Sequence, residues 1–237
     1  MQAMIFAAGI GTRFKPWTDK HPKALALVNG KTLLERNIKF LQQFDITEVI
    51  VNVHHFAEQI IETIKKNAGW GSVITISDES DEVLETGGGL KKASWYFNDD
   101  SFVVLNVDIL TDLDLQTMIN FHQQHKPLAT LAVTNRKTSR YFLFDENDNL
   151  SGWRNIKTGE EKISRKSNAL VEKAFSGIHI IDPKIFSLMS QTGKFSIVDT
   201  YLELSKSQTI KGFDHNHSKL IDVGKPESVA EAEKLFV

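Results

Sequence analysis

Cysteine is absent from all 237 residues, which removes disulfide staples, thiolate metal sites and cysteine nucleophiles together and leaves His, Asp and Glu as candidate ligands. Proline is scarce, at five residues, and no Pro/Gly/Ser-rich linker, low-complexity tract or internal repeat divides the chain. One domain over 1–237 is therefore expected, with 1–135 as a nucleotide-binding half and 136–237 as an elaboration of it. No run approaches the roughly 18 apolar residues of a membrane helix. The opening MQAMIFAAGIGTRF has a brief apolar stretch and no basic region before it, so no signal peptide is expected. These absences point to a soluble cytoplasmic protein with no membrane partner. An excess of one charge is missing too: 28 Lys and Arg against 30 Asp and Glu leave a net −2, so no global basic field would draw nucleic acid. Any phosphate binding must be local. The four tryptophans form no stacking platform for single strands, and no feature marks an interface between copies.

What is present is an ordinary soluble composition, 41% apolar and 24% charged, with strands and helices alternating along it. Apolar runs predict buried strands over 3–8, 46–53, 72–77, 101–108, 128–134 and 174–182, and 3.6-residue spacing predicts helices over 32–44, 56–66, 86–96 and 113–125. Pro183 opens a short helix, and 197–205 and 226–236 read as two more. Residues 136–172 are polar and irregular, apart from a hairpin in RYFLFDENDNLSGW around its Asn/Asp-rich turn. This order predicts an α/β fold, a mostly parallel, Rossmann-like sheet sandwiched by helices. In such sheets ligands lie beyond the carboxyl ends of the strands.

The loop after the first strand reads Ala7-Ala8-Gly9-Ile10-Gly11-Thr12-Arg13, followed by Pro16, Thr18, Pro22 and Lys23. Two glycines one residue apart permit positive φ and close backbone approach, so that successive N–H groups converge on phosphate oxygens. Arg13 adds a planar guanidinium and Lys23 a compact cation. Read as Gly-x-Gly alone, the segment fits a tight strand-to-helix turn with a solvated Arg equally well. It is neither a dinucleotide fingerprint, which needs glycine at Phe14, nor a Walker A loop.

The full string resembles the signature of the sugar-1-phosphate nucleotidyltransferases, L-A-A-G-x-G-T-R-x-x-P-x-T followed by P-K, with Phe6 in place of the usual Leu and ten matching positions. The resemblance implies a fold of the nucleotide-diphospho-sugar transferase type and an enzyme that joins a nucleoside triphosphate to a sugar 1-phosphate, releasing pyrophosphate. It implies that Ala8, Gly9, Gly11, Thr12 and Arg13 hold the triphosphate and that Arg13 and Lys23 neutralise the reacting phosphates. Glu85-Thr86-Gly87-Gly88-Gly89 resembles the second Gly-rich loop of the family, making Glu85, Gly87 and Gly88 nucleotide contacts; by itself it also reads as a flexible turn. Phe175-Ser176-Gly177-Ile178 resembles the strand beside the sugar, with Gly177 against the hexose, where a strand bulge is the alternative. Asn52 and His54 close the second strand on the same edge, and a sugar contact is expected of Asn52.

Asp108 and Asp222 each sit at a predicted strand end. Either alone reads as a helix cap or turn residue. Together, as hard oxygen ligands beside phosphates and water, they suit Mg²⁺, and the resemblance implies that they hold the catalytic Mg²⁺. Val107 departs from the family, which has Gly before the first aspartate. The short form, without hexapeptide repeats, is most similar to the N-acetylmuramate-1-phosphate uridylyltransferases and the mannose- or heptose-1-phosphate guanylyltransferases, so UTP or GTP is the expected triphosphate. Two alternatives stay open: a noncatalytic nucleotide-sugar-binding regulatory protein, and an enzyme resembling the phosphocholine cytidylyltransferases. His54-His55 and His215-x-His217 lack a clear third ligand for a metal.

Overall fold

A computed structural model describes residues 1–237. Its first strand, β1 (Ala3–Phe6), is buried along its whole length. Ala3 and Ile5 belong to one hydrophobic cluster and Met4 and Phe6 to another, as period-2 alternation demands of a strand covered on both faces. A small hairpin, β2 (Leu27–Val28) and β3 (Lys31–Thr32), leads into α1 (Leu33–Gln42). Thr32 caps that helix by accepting from the Glu35 N–H at 3.0 Å, and Leu33, Leu34, Ile38 and Leu41 face the sheet. Then follow β4 (Glu48–Val53), α2 (Ala57–Lys66), β5 (Val73–Asp78), α3 (Glu85–Lys92), β6 (Phe102–Asn106), β7 (Ile109–Thr111), α4 (Leu115–His125) and β8 (Ala129–Thr134). The C-terminal part comprises β9 (Arg140–Phe144), β10 (Leu150–Asn155), β11 (Glu160–Ile163), β12 (Val171–Ile181), α5 (Ile185–Leu188), α6 (Ile197–Leu204), β13 (Ile210–Asp214), β14 (Leu220–Asp222) and α7 (Glu227–Leu235).

Ten strands form a mixed, mostly parallel central sheet. Its core, β6-β1-β4-β5, is parallel throughout. The antiparallel β12 pairs with β6 and β8, and its first residues pair with β9. Clusters of 34 and 21 buried residues lie on the two faces. The larger takes its helical side chains from α1, α2 and α4, with Ala232 of α7, and the smaller from α3, α5 and α6, the helix–sheet–helix sandwich expected from alternation.

The structure differs from the sequence reading in several places, among them the short strands β2, β3, β7 and β11, which local periodicity does not predict. The helix expected over 86–96 stops at Lys92 and resumes as a 3-10 turn, Ser94–Tyr96. The strand expected over 101–108 ends at Asn106, which leaves Asp108 in a turn. Strand β13, parallel to β8, was not foreseen: its I-K-G-F-D carries a glycine that weakens the pattern, and Gly212 is there because the Phe144 ring would lie 3.0 Å from any Cβ. The hairpin expected around the Asn/Asp-rich turn is β9–β10, in which the Asp145 carboxylate accepts from the Asn147 and Asn149 N–H groups at 2.9 and 2.8 Å.

Two core histidines couple the fold to pH. His122 is wedged between Thr130 Oγ1 (2.9 Å) and Ser101 Oγ (3.1 Å), and burial lowers it to about 4. His179 meets the Tyr201 hydroxyl at 2.6 Å, and burial lowers it to about 3. Both are neutral when folded, whereas the unfolded chain takes up their protons near 6.5. Their contribution to stability is complete above that pH and is lost progressively as pH falls toward 4. Melting temperature should therefore drop steadily across this window in a calorimetric pH series, and His122→Gln should flatten part of the slope.

Candidate active site

Beyond the carboxyl ends of β1, β4 and β6 lies a cleft of about 530 Å³, lined by the loop after β1 together with Lys23, Asn52, Glu79, Glu85, Thr86, Asn106 and Asp108. Ala8, Gly9, Gly11 and Thr12 all face it. Gly11 adopts φ +66°, and a Cβ there would come within 3.0 Å of Thr18 and 3.3 Å of Lys23, so this glycine is required by both conformation and space. Thr18 braces the turn by donating its hydroxyl to Gly11 O at 2.9 Å. Gly9, in contrast, has nothing within 4 Å of a would-be Cβ; it faces open cleft.

Asn52 is 2% exposed, and its carboxamide oxygen accepts from Ala7 N–H (2.7 Å) and Ala8 N–H (3.4 Å). Its Nδ2 donates to Glu79 Oε1 at 2.8 Å. Burial raises the Glu79 carboxyl, against the pull of the Asn52 hydrogen bond. Asn52 thus fastens the glycine loop on the side lined by Ala8 and Glu79, and Gly177 does not line the cleft. Glu79 itself was not singled out from sequence, because an acidic residue after a strand in S-D-E-S carries no local signal of burial.

The E-T-G-G-G string opens α3 with Glu85 at φ +57°. Glu85 and Thr86 line the cleft, whereas Gly87 and Gly88 do not. Both of these glycines give their N–H groups to Phe195 O, at 2.9 and 3.2 Å. A Cβ on Gly87 would lie 2.4 Å from the Phe195 ring, and one on Gly88 would lie 2.3 Å from Gly193 O. Close packing of α3 against the segment before α6 accounts for these two glycines.

The two aspartates meet through a two-stranded sheet outside the main one, β7 with β14, in which Asp222 is paired with Ile109 and Val223 N–H donates to Asp108 O at 2.8 Å. Lys23 forms an ion pair with Asp108, both side chains being only 14% exposed. The Asp222 carboxyl is raised above its ordinary range by burial and then by the neighbouring Asp108 charge, while Arg13, Lys23 and Arg136 pull it back. Arg13 and Asp222 crowd Gly224: a Cβ there would lie 2.6 Å from Asp222 Oδ1 and 2.8 Å from Arg13 Nη2. Val107 is 3% exposed and packs in the larger core, its carbonyl accepting from Asn37 Nδ2 at 2.9 Å. Gly177 has φ +73° at a register shift in β12, and a Cβ would lie 2.7 Å from Asn106 Nδ2. It is both a bulge and a close approach to the cleft wall. No group of three or more His, Cys, Asp or Glu side chains gathers as a metal cluster, and no helix is long and apolar enough to cross a membrane. His54 donates from Nδ1 to Glu79 O at 2.6 Å, and Asp199 pairs with Lys162 at 3.1 Å on the surface.

Asn52→Ala should lower unfolding free energy by about 1–3 kcal/mol, because the buried Ala7 N–H loses its acceptor. Gly88→Ala should cost about 1–3 kcal/mol or more by overpacking. Gly9→Ala, facing open space, should leave the urea midpoint unchanged, so the three variants separate loop anchoring from cleft lining.

Residues 2–236 match the nucleotidyl transferase family model. The chain is 31% identical over 212 residues to a UTP–glucose-1-phosphate uridylyltransferase of Synechocystis, covering 83% of this chain and 53% of that protein. It is 27% identical over 245 residues to a mannose-1-phosphate guanyltransferase of Yarrowia lipolytica, covering 100% of this chain and 64% of that one. It therefore spans roughly half to two-thirds of the length of these curated relatives. HddC from Yersinia pseudotuberculosis, solved with GMP-PN, has the same fold, with a TM-score of 0.78 at 23% identity and coverage of 100% and 99%. With a family model matched almost end to end, and relatives named as sugar-1-phosphate uridylyl- and guanylyltransferases, the chain belongs to the nucleotidyl transferase family.

Proposed function

We propose that the protein is a Mg²⁺-dependent nucleotidyltransferase that joins UTP or GTP to a sugar 1-phosphate, giving a nucleotide-sugar and pyrophosphate. The observation that carries this reading is the convergence of Lys23, Asp108, Asp222 and Arg13 at the mouth of a glycine loop whose backbone faces an open cleft. Residues 1–135 supply the nucleotide side and 136–237 the sugar side.

The residues present fit a magnesium ion. Asp108 and Asp222 are held close enough to repel, a cost a divalent cation relieves, and Mg²⁺ completes its shell with water and phosphate oxygens rather than with further side chains. Bound by Asp108 and Asp222, it would neutralise charge developing at the α-phosphate. The loop N–H groups from Gly9 to Thr12 cradle the triphosphate, with Ala8 lining the cleft beside them, and Glu85 and Thr86 border the nucleotide. Lys23 and Arg13 cover the β- and γ-phosphates that leave. An oxygen of the sugar phosphate bonds to the α-phosphorus as the bond from that phosphorus to the bridging oxygen breaks. The attacking phosphate dianion is already a nucleophile, so the residues need only position it and balance charge. On the sugar side Gly177 stands behind Asn106, letting that cleft-lining carboxamide pack against its backbone.

Pyrophosphate release should require both a triphosphate and a sugar 1-phosphate, in a screen crossing four triphosphates with glucose, mannose, heptose and N-acetylmuramate 1-phosphates and with phosphocholine. Asp108→Asn should lower turnover at least ~100-fold, and wild-type turnover in that variant would remove Asp108 from the metal site. Gly9→Ala should raise the KM for the triphosphate without lowering stability.

A further inference from the structure

We infer that Arg136 binds the phosphate of the acceptor, on the far side of the cleft from the glycine loop; the inference rests on the sugar-phosphate reading above. Strand β8 is antiparallel to β12, which is antiparallel to β6, so β8 runs in the same direction as β6 and β1. Its carboxyl end, Thr134, therefore opens onto the same edge as the cleft, and Arg136 follows two residues later.

The side chain is fastened but its donors are not spent. One Nη donates to Phe175 O at 2.8 Å, two residues before the Gly177 bulge, while Nε is buried with no partner. No carboxylate lies within ion-pair distance of it. The carboxylate nearest in sequence on β13, Asp214, is taken by Lys173 at 2.6 Å and by Asn216. On the other flank His215 meets Ser176 Oγ at 2.7 Å, and burial lowers this histidine to about 4, so it brings no competing charge at neutral pH. The field of Arg136 reaches Asp222.

The enclosed Nε–H is closed to a ligand, and the donors left for one are on the other Nη, which has no protein partner and is not enclosed in this half-buried side chain. The ligand this position calls for is an oxyanion, since a planar guanidinium edge matches phosphate oxygens and forms charge-assisted bonds with them. Lys23, which also pairs with Asp108, and Arg13 serve the phosphates that leave. A phosphate dianion arriving beside Asp108 and Asp222 from the sugar side therefore needs a cation of its own, and Arg136 is the unpaired one there. Lys173, tied to Asp214 and Asn135, is not available for it.

Steady-state kinetics of Arg136→Met and Arg136→Lys, with whichever triphosphate and sugar 1-phosphate the wild type turns over, test this directly. Loss of a charge-assisted bond predicts a ~10- to 100-fold rise in the KM of the sugar 1-phosphate for Arg136→Met. The triphosphate KM should stay within about twofold, and Arg136→Lys, which keeps the charge without the planar edge, should fall between. Equilibrium titration of inactive Asp108→Asn with the sugar 1-phosphate, with and without Arg136→Met, should show the same loss of affinity without turnover. If Arg136→Met melts several degrees below wild type, Arg136→Lys alone carries the comparison. An unchanged acceptor KM in the lysine variant and in a stably folded methionine variant, or a rise confined to the triphosphate, overturns the assignment. A wild type that releases no pyrophosphate with any sugar 1-phosphate overturns the reading beneath it, and the assignment falls with it.

Discussion

Everything at the cleft depends on the pairing of β14 with β7, which sets Asp222 beside the turn that carries Asp108. A short antiparallel ladder and one further backbone bond, Val223 N–H to Asp108 O at 2.8 Å, hold together two carboxylates that come from distant parts of the chain. Burial raises the Asp222 carboxyl first, and the like charge of Asp108 adds to it. The fold offsets this with cations from three directions: Lys23 from the turns after the glycine loop, Arg13 from the loop itself, and Arg136 from the end of β8. In a chain with a net charge of −2, this local gathering of positive charge makes anion binding possible without a basic surface.

The glycine loop is held as firmly as the aspartates, by a different device. Its first residues hang from Asn52, which in turn rests on Glu79, and Glu79 fills the place where a side chain on Gly89 would stand, 2.6 Å from it. The third glycine of the E-T-G-G-G string therefore makes room for the carboxylate that steadies the first loop. The two glycine-rich segments are one packed unit, and a substitution in the second is felt in the first.

Much of this was legible from sequence. Strand β1 shows as an apolar run, its buried faces alternate as the pattern requires, and α1 carries its cap and its apolar stripe in the open. The loop residues Gly9 to Arg13 and Lys23 are contiguous enough to form a recognisable string, and all but Arg13 line the cleft. Other features were not legible, for physical reasons. Strand β13 has too few apolar residues and a glycine in its middle, and only the ladder of β8 makes it a strand. Asn52 looks like a polar strand end free to meet a ligand, because nothing local reveals that two backbone N–H groups already occupy its oxygen. Gly87 and Gly88 look like ligand-facing backbone, and only the arrival of Phe195 and Gly193 shows what they pack against.

The sequence by itself determined the alternation of strands and helices, the edge of the sheet at which to look, and the chemical types gathered there, since these follow from local periodicity and contiguous motifs. The tertiary structure alone decided which residues share that edge. Directions of strands such as β8, reversed twice through β12 relative to β6, bring Arg136 to the same edge of the sheet. A two-stranded ladder joins Asp108 to Asp222. Close packing assigns each glycine its reason. Spacing along a chain carries no information about pairings between distant segments, and the charge balance of this cleft is made entirely of such pairings.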